Sequence, residues 1–187
     1  MKSKKDIRIY IKERKENLSI SDTERYSNTI INKLISTEEY INSKTIFTYV
    51  SFNQEVITNK LIQQSLKTKK VAVPKIVNDQ MIFYYIESID ELKTGIKGIL
   101  EPVNISGPYM ATPEDGSLFI VPGLAFDNNK NRIGYGRGYY DQYFNKYMGL
   151  KLNKVGLAFE FQVIDQVPVE DNDVKLDTIL TETRIIN

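Results

Sequence analysis

The chain has 187 residues, of which 41% are hydrophobic and 26% charged, proportions that exclude a disordered or collagen-like protein and favour one compact domain over residues 1–187. Its formal net charge is +1, so it has no global positive field to attract a nucleic-acid backbone, and an anionic ligand must be held by a local cluster of cations. Cysteine and histidine are both absent, which excludes a thiolate nucleophile, an imidazole base and a Cys/His zinc site.

Two helices are predicted at the start of the chain. Residues 6–17 have helical apolar spacing, with Ile7 and Ile11 on one face and Lys15 on the opposite, polar face. The segment Ser21–Glu24 matches a capping box and predicts the start of the second helix. Both helices precede the first predicted strand.

Strands and helices alternate through the rest of the chain. The segments with β-branched and aromatic enrichment, which predict strands, are 45–50, 70–73, 81–86, 117–121, 154–159 and 176–181. Helical spacing occurs at 58–66 and 139–147, and a loop punctuated by glycine and proline is predicted over 95–108. The alternation predicts a layered α/β domain without internal repeats.

No segment of the sequence predicts a membrane span. The longest apolar run, 118–126, is too short to cross a bilayer and contains Pro122 and Gly123. The basic N-terminal region lacks the apolar segment of a signal peptide. We therefore expect a cytoplasmic protein that binds neither a membrane nor nucleic acid.

The most informative segment is 119–141, FIVPGLAFDNNKNRIGYGRGYYD, in which a buried strand leads into three alternating glycines. The glycines leave backbone N–H groups uncovered, Arg132 and Arg137 can neutralise phosphate oxygens, and the following helix adds its positive N-terminal end. The motif is neither a P-loop nor a dinucleotide fingerprint, because it lacks Gly-Lys-Ser/Thr and the third glycine of GxGxxG. It predicts a phosphate site; a flexible surface loop is the alternative interpretation.

The tyrosines of this region fall into two groups. Tyr140, Tyr143 and Tyr147 recur at helical spacing and are predicted to lie in the core. Tyr135 and Tyr139 are predicted to lie off that stripe, within the loop, where an aromatic ring can pack on a heteroaromatic ligand.

Two acidic positions are candidate metal ligands. Asp141 is in the first turn of a predicted helix, where the helix dipole stabilises a carboxylate with or without a function, and nearby phosphates would favour a magnesium role. The segment Glu170–Asp173 precedes the last strand. It is a solvated turn unless the fold brings it close to Asp141.

Taken together, the motifs VPGLAFD, NRIGYGRGYYD, LAFEFQ and VPVEDNDVKLD resemble the 5-formyltetrahydrofolate cyclo-ligase family. The resemblance spans most of the chain and includes KKDIR at 4–8 and YVSFNQE at 49–55. It implies a three-layer α/β sandwich with a mostly parallel central sheet, similar to sugar-phosphate isomerases and CoA transferases. It also implies the ATP- and Mg²⁺-dependent conversion of 5-formyltetrahydrofolate into 5,10-methenyltetrahydrofolate. The chain departs from many bacterial members at Asn172, where they have histidine, and at Arg137, where they often have a small residue or lysine.

The resemblance assigns the site residues by their position in the motifs. ATP would contact Lys4, Lys5, Asp6, Ile7, Arg8, Arg132, Ile133, Gly134, Tyr135, Gly136, Arg137, Gly138, Tyr139 and Tyr140. The reduced folate would contact Val50, Glu55, Tyr135, Gly136, Arg137, Gly138 and Tyr139. Mg²⁺ would bind Asp141 and Asp173, and the residues implied in catalysis are Arg132, Tyr139 and Asp141.

Two other functions stay open at the level of sequence. An enzyme of the same fold class acting on a sugar phosphate or a CoA ester would use the glycine-rich loop without ATP, with Glu55 as its base. A non-catalytic nucleotide- or folate-binding module would bind its ligand through the same loop without turning it over.

Overall fold

The computed structural model describes residues 3–95 and 98–187. The helices are α1 Lys4–Glu16, α2 Ile20–Ile35, α3 Glu38–Asn42, α4 Asn59–Ser65 and α5 Tyr139–Lys146. The strands are β1 Thr45–Thr48, β2 Lys70–Val77, β3 Gln80–Ile86, β4 Leu92–Thr94, β5 Leu100–Pro102, β6 Met110–Ala111, β7 Leu118–Val121, β8 Ala125–Asp127, β9 Arg132–Ile133, β10 Asn153–Leu157, β11 Val163–Ile164, β12 Thr178–Leu180 and β13 Ile185–Ile186.

The centre of the fold is an eight-stranded sheet with the order β13-β12-β10-β7-β1-β2-β3-β6. Strands β12, β10, β7, β1 and β2 are parallel, and the outer strands join antiparallel. The mostly parallel central sheet is therefore confirmed. The chain moves from β1 to β2 on one side and from β7 to β10 on the other, so the strand order reverses between β7 and β1. In sheets of this kind, ligands bind at the carboxyl ends of the strands beside such a reversal.

Helices cover both faces of the sheet, as the alternation along β7 shows. Leu118 and Ile120 pack in a cluster with residues of α2, α3 and α4, whereas Phe119 and Val121 pack with residues of α5. Phe119 also stacks on Phe47 of β1, with ring centroids 4.3 Å apart. A strand with both faces buried must be apolar throughout, which explains why this strand begins the longest apolar run, 118–126.

A second, three-stranded sheet, β11-β8-β9, positions helix α1. Ile7 and Ile11 of α1 are buried in one cluster with Leu124, Ala125 and Ile133. Because β9 leads directly into the glycines, this packing sets the start of α1 beside them.

Two predictions about local structure are wrong. Helix α2 begins at Ile20, and the side chain of Ser19 accepts the backbone N–H of Asp22 at 3.0 Å, so the cap lies two residues before the predicted one. The predicted loop over 95–108 contains strand β5, paired with β4, and its residues 96 and 97 lie outside the described residues.

Among the described residues, no helix combines the length and the apolar character needed to cross a bilayer. Residence in the cytoplasm stays a prediction.

Candidate active site

A buried carboxylate holds the turn between β8 and β9, from which the glycines follow. Asp127 is fully buried, and its Oδ1 accepts the backbone N–H groups of Asn129 and Asn131 at 2.9 and 3.0 Å. Its Oδ2 accepts the side-chain amide of Asn131 at 2.9 Å and the backbone N–H of Val167 at 3.0 Å. Four donors compensate the loss of hydration of this charge. The turn therefore places Arg132 on a rigid scaffold.

Residues 134–138, here called the glycine loop, need glycine at two positions. Gly136 and Gly138 have φ angles of +102° and +67°, in the left-handed region that other residues enter at a cost. Gly138 is also the N-cap of α5 and, having no side chain, it cannot cap the first turn of that helix. The uncapped N–H groups at this helix start favour an anion.

Two cations from the start of α1 reach this region. Arg8 Nε donates to the carbonyl oxygen of Gly134 at 2.9 Å, and a Cβ at Gly136 would lie 3.6 Å from the Arg8 guanidinium. Lys4 Nζ lies 2.6 Å from Asp173 Oδ2 and 3.1 Å from Glu170 Oε1. The structure thus brings Lys4 and Arg8, both predicted to contact ATP, to the glycine loop and the acidic turn.

Arg132 and Asp141 form an ion pair at the base of the loop. Arg132 Nη2 donates to Asp141 Oδ1 at 2.9 Å, and the Arg132 side chain is 5% exposed. The same carboxylate oxygen accepts the backbone N–H of Val174 at 3.2 Å. Arg132 Nε is buried and has no acceptor among the described residues. Since Val174 follows Asp173, the two predicted metal ligands are neighbours.

The donor set at this position fits a magnesium ion. Within the described residues, Asp141 Oδ2 and Asp173 Oδ1 make no hydrogen bond, so each carboxylate has one oxygen available. No group of three or more acidic, histidine or cysteine side chains that could hold a metal occurs in the described part of the chain. Mg²⁺ is commonly held by one or two carboxylates together with substrate phosphates and water, which is the arrangement these two residues would allow.

Glu55, in the segment after β1, contacts the glycine loop through Tyr135. It is 9% exposed, its Oε2 accepts the backbone N–H of Phe52 at 2.9 Å, and its Oε1 accepts the Tyr135 hydroxyl at 2.8 Å. Burial raises the pKa of Glu55, while these two hydrogen bonds and the charge of Lys15 act in the opposite direction. Val50 is buried in a neighbouring apolar cluster. Tyr135 therefore joins the glycine loop to the predicted folate residue Glu55.

Lys15 is a residue that the sequence interpretation misplaced. It is 5% exposed, although the prediction placed it on the polar face of α1. The spacing of four residues between Ile7, Ile11 and Lys15 could have indicated this burial, because residues at that spacing form one row along the same face of a helix. Burial lowers the pKa of Lys15, and the charge of Glu55 opposes that shift.

The tyrosines of α5 are arranged differently from the prediction in one respect. Tyr143 is buried, and Tyr140 and Tyr147 pack against the same cluster, which confirms the predicted core stripe. Tyr139, however, is not separate from it, because positions 139, 143 and 147 share one helix face and line a common cavity of about 360 Å³. The Tyr139 hydroxyl donates to Asp79 Oδ1 at 3.5 Å.

The other predicted ATP residues occupy varied environments. Ile7 and Ile133 are buried in the cluster beneath α1, so their side chains serve packing. Asp6 belongs to the capping box that Ser3 forms at the start of α1. Lys5 and Arg137 are exposed.

Comparisons with known proteins point to one family. A model of the 5-formyltetrahydrofolate cyclo-ligase family matches residues 1–182. The 5-formyltetrahydrofolate cyclo-ligase of Mus musculus is 31% identical over 96% of this chain and 94% of its own length. The structure of the 5,10-methenyltetrahydrofolate synthetase of Aquifex aeolicus has a TM-score of 0.85 at 33% identity, covering 97% of this chain and 91% of that one. The corresponding synthetase of Mycoplasma pneumoniae has a TM-score of 0.74 at 26% identity, covering 97% and 99%. The chain is a member of the 5-formyltetrahydrofolate cyclo-ligase family.

Proposed function

We propose that the protein uses ATP and Mg²⁺ to cyclise 5-formyltetrahydrofolate to 5,10-methenyltetrahydrofolate, releasing ADP and phosphate. The observation that carries this proposal is that the glycine loop meets two chemically different groups of side chains. Arg8 donates to the loop at Gly134, and the Arg132–Asp141 pair flanks the loop in the sequence. Tyr135 of the loop donates a hydrogen bond to Glu55. The first group suits phosphates and the second suits the N–H donors of a pterin.

The phosphate half would be built from backbone and cations. The uncapped start of α5 offers N–H groups, and Arg8, Lys4 and Arg132 supply positive charge. Phosphoryl transfer requires alignment and neutralisation of charge more than covalent participation by the protein. A site with no cysteine or histidine is sufficient for such a reaction.

The reaction would proceed in two steps. The formyl oxygen of the folate attacks the γ-phosphorus of ATP, ADP leaves, and an imidoyl phosphate forms on N5. N10 then attacks the formyl carbon, loses its proton, and phosphate leaves to give the 5,10-methenyl product. The second step is favoured because both reacting groups belong to one bound molecule.

Asp141 and Asp173 would hold the magnesium ion through their available oxygens. When bound, the ion would neutralise phosphate charge. The protein's own contribution is to keep these carboxylates in place, through Arg132 and Val174 on Asp141 and through Lys4 on Asp173.

The proposal is tested by absorbance, because 5,10-methenyltetrahydrofolate absorbs in the near ultraviolet and its 5-formyl precursor does not. Protein, Mg-ATP and 5-formyltetrahydrofolate should give a rising signal with one ADP and one phosphate per product. Arg8→Ala should slow the reaction, and Lys12→Ala, a neutralisation on the exposed side of the same helix, is the matched control. A signal that stays flat with wild-type protein would rule out the proposed activity.

A further inference from the structure

Lys15 is a buried cation to which the described residues offer no direct partner. It occupies the third position of the row Ile7–Ile11–Lys15 and is 5% exposed. Within the described residues, its ammonium group makes no hydrogen bond and no ion pair. Lysine is rarely buried to this extent unless an opposite charge compensates it.

The compensating charge is Glu55. The negative charge of the Glu55 carboxylate acts to raise the pKa of Lys15, and the positive charge of Lys15 acts to lower the pKa of Glu55. The other titratable groups whose charges couple to Glu55 are the phenols of Tyr49, Tyr135 and Tyr140, which are neutral at ordinary pH. The two segments also meet in the structure, because Leu18, three positions after Lys15, packs against the cluster that contains Val56, the neighbour of Glu55. Lys15 is therefore a buried cation beside Glu55.

We propose that Lys15 is a positioning residue that holds Glu55 in its ionised form for folate binding; this rests on the proposed function, in which Glu55 accepts hydrogen bonds from the folate. An ionised carboxylate only accepts hydrogen bonds, whereas a protonated one also carries an O–H donor that would oppose a pterin N–H. The Tyr135 hydroxyl and the Phe52 N–H already point at the two oxygens as donors, an arrangement that suits the ionised form.

The sign of the expected effect follows from linkage. Removing the positive charge of Lys15 makes ionisation of Glu55 harder and raises its pKa. Folate use that requires ionised Glu55 is then lost at a higher pH as the solution is acidified. A residue that only filled space would lower folate use equally at every pH.

The test is the pH profile of kcat/KM for 5-formyltetrahydrofolate at saturating Mg-ATP, from about pH 5 to about pH 9. In Lys15→Met, which keeps an apolar side chain, the midpoint of the acid limb should move to higher pH by about one pH unit. Lys15→Arg, which keeps the positive charge, should return the midpoint to its wild-type position. Lys12→Met, an exposed change on the same helix, is the matched control and should leave the limb in place. Glu55→Gln should remove this limb, and Lys15→Met should then cause no further shift.

A folded Lys15→Met protein with the wild-type acid limb would overturn the proposal, as would a uniform loss at every pH. If Lys15→Met does not fold, the acid limb of the pH profile is measured in Lys15→Gln instead, and the same shift to higher pH is expected. Turnover by the wild-type protein separately tests the proposed function. If that turnover is absent, the same variants are compared by calorimetric titration of 5-formyltetrahydrofolate across the same pH range without ATP. If the pH at which folate affinity falls is the same in the Lys15 variants and the wild type, the proposed role of Lys15 is again refuted.

Discussion

Replacing Asp141 with alanine tests whether this carboxylate stabilises the fold as well as the reaction. The Arg132 side chain is 5% exposed and is paired with Asp141 at 2.9 Å, so the substitution leaves a buried guanidinium without its anion. Such a loss costs about 3–5 kcal/mol in free energy of unfolding. For a protein of this length, 1 kcal/mol corresponds to about 2–4 °C in Tm, so we expect a decrease of about 6–20 °C.

The sequence alone predicts a different balance, in which Asp141→Ala loses activity, by about 10² or more in rate, far more than stability. The double variant Arg132→Met/Asp141→Ala separates the two effects. Removing the orphaned cation should recover most of the lost Tm, because a buried ion pair can be replaced by apolar residues at little cost. Activity should stay low, and the unpaired N–H of Val174 should account for the stability not recovered.

Thermal melts and the absorbance assay together decide this. A single Asp141→Ala variant whose Tm lies within about 2 °C of the wild type would show that Arg132 does not depend on Asp141 for its charge balance. A double variant that melts no higher than the single one would refute the explanation by an orphaned charge. Near-normal turnover of Asp141→Ala at low magnesium would remove Asp141 from the proposed metal site.

Three further predictions concern packing, ligand preference and backbone strain. Tyr143→Ala should lose about 3–5 kcal/mol in free energy of unfolding, because it leaves a cavity in the core. Tyr139→Phe, which removes only an exposed hydroxyl, should be as stable as the wild type, and denaturant titration measures both variants. Arg8→Ala should raise KM for ATP and Glu55→Gln should raise KM for folate, and equal effects of both changes on both ligands would contradict this division. Gly138→Ala should cost about 1–2 kcal/mol, because φ is +67°, and an unchanged Tm would refute the strain argument.

Local patterns predicted much of the fold because they report on burial along one element. The segment 117–121 predicted a fully buried strand, and the structure places strand β7, Leu118–Val121, in the middle of the sheet. The helix start predicted from the capping box Ser21–Glu24 was wrong, because Ser19 and Asp22 have the same spacing as Ser21 and Glu24. A pattern of four residues does not distinguish a helix start at Ser19 from one at Ser21.

The environment of individual site residues depended on contacts that no local pattern contains. Lys15 was predicted to lie on the polar face of α1 because it is charged, although it is spaced by four from Ile11. The charge that acts on it, Glu55, is 40 positions away in the sequence. Tyr139 was separated from the core stripe because it directly follows the glycines in the sequence, whereas the helix begins at that residue. The neighbouring positions of Asp141 and Asp173 likewise follow from tertiary packing.

The attachment of α1 has a consequence for local unfolding. This helix is held by a small apolar cluster on the three-stranded sheet, by the Arg8 bond to Gly134 and by the ion pairs of Lys4, while the central sheet is covered by other helices. Segments attached in this way open at a lower free energy than the whole protein. Hydrogen exchange at the amides of α1 should therefore be faster than in β7, and a nucleotide bound through Lys4 and Arg8 should slow it, so that exchange in this helix reports directly on occupancy of the phosphate half.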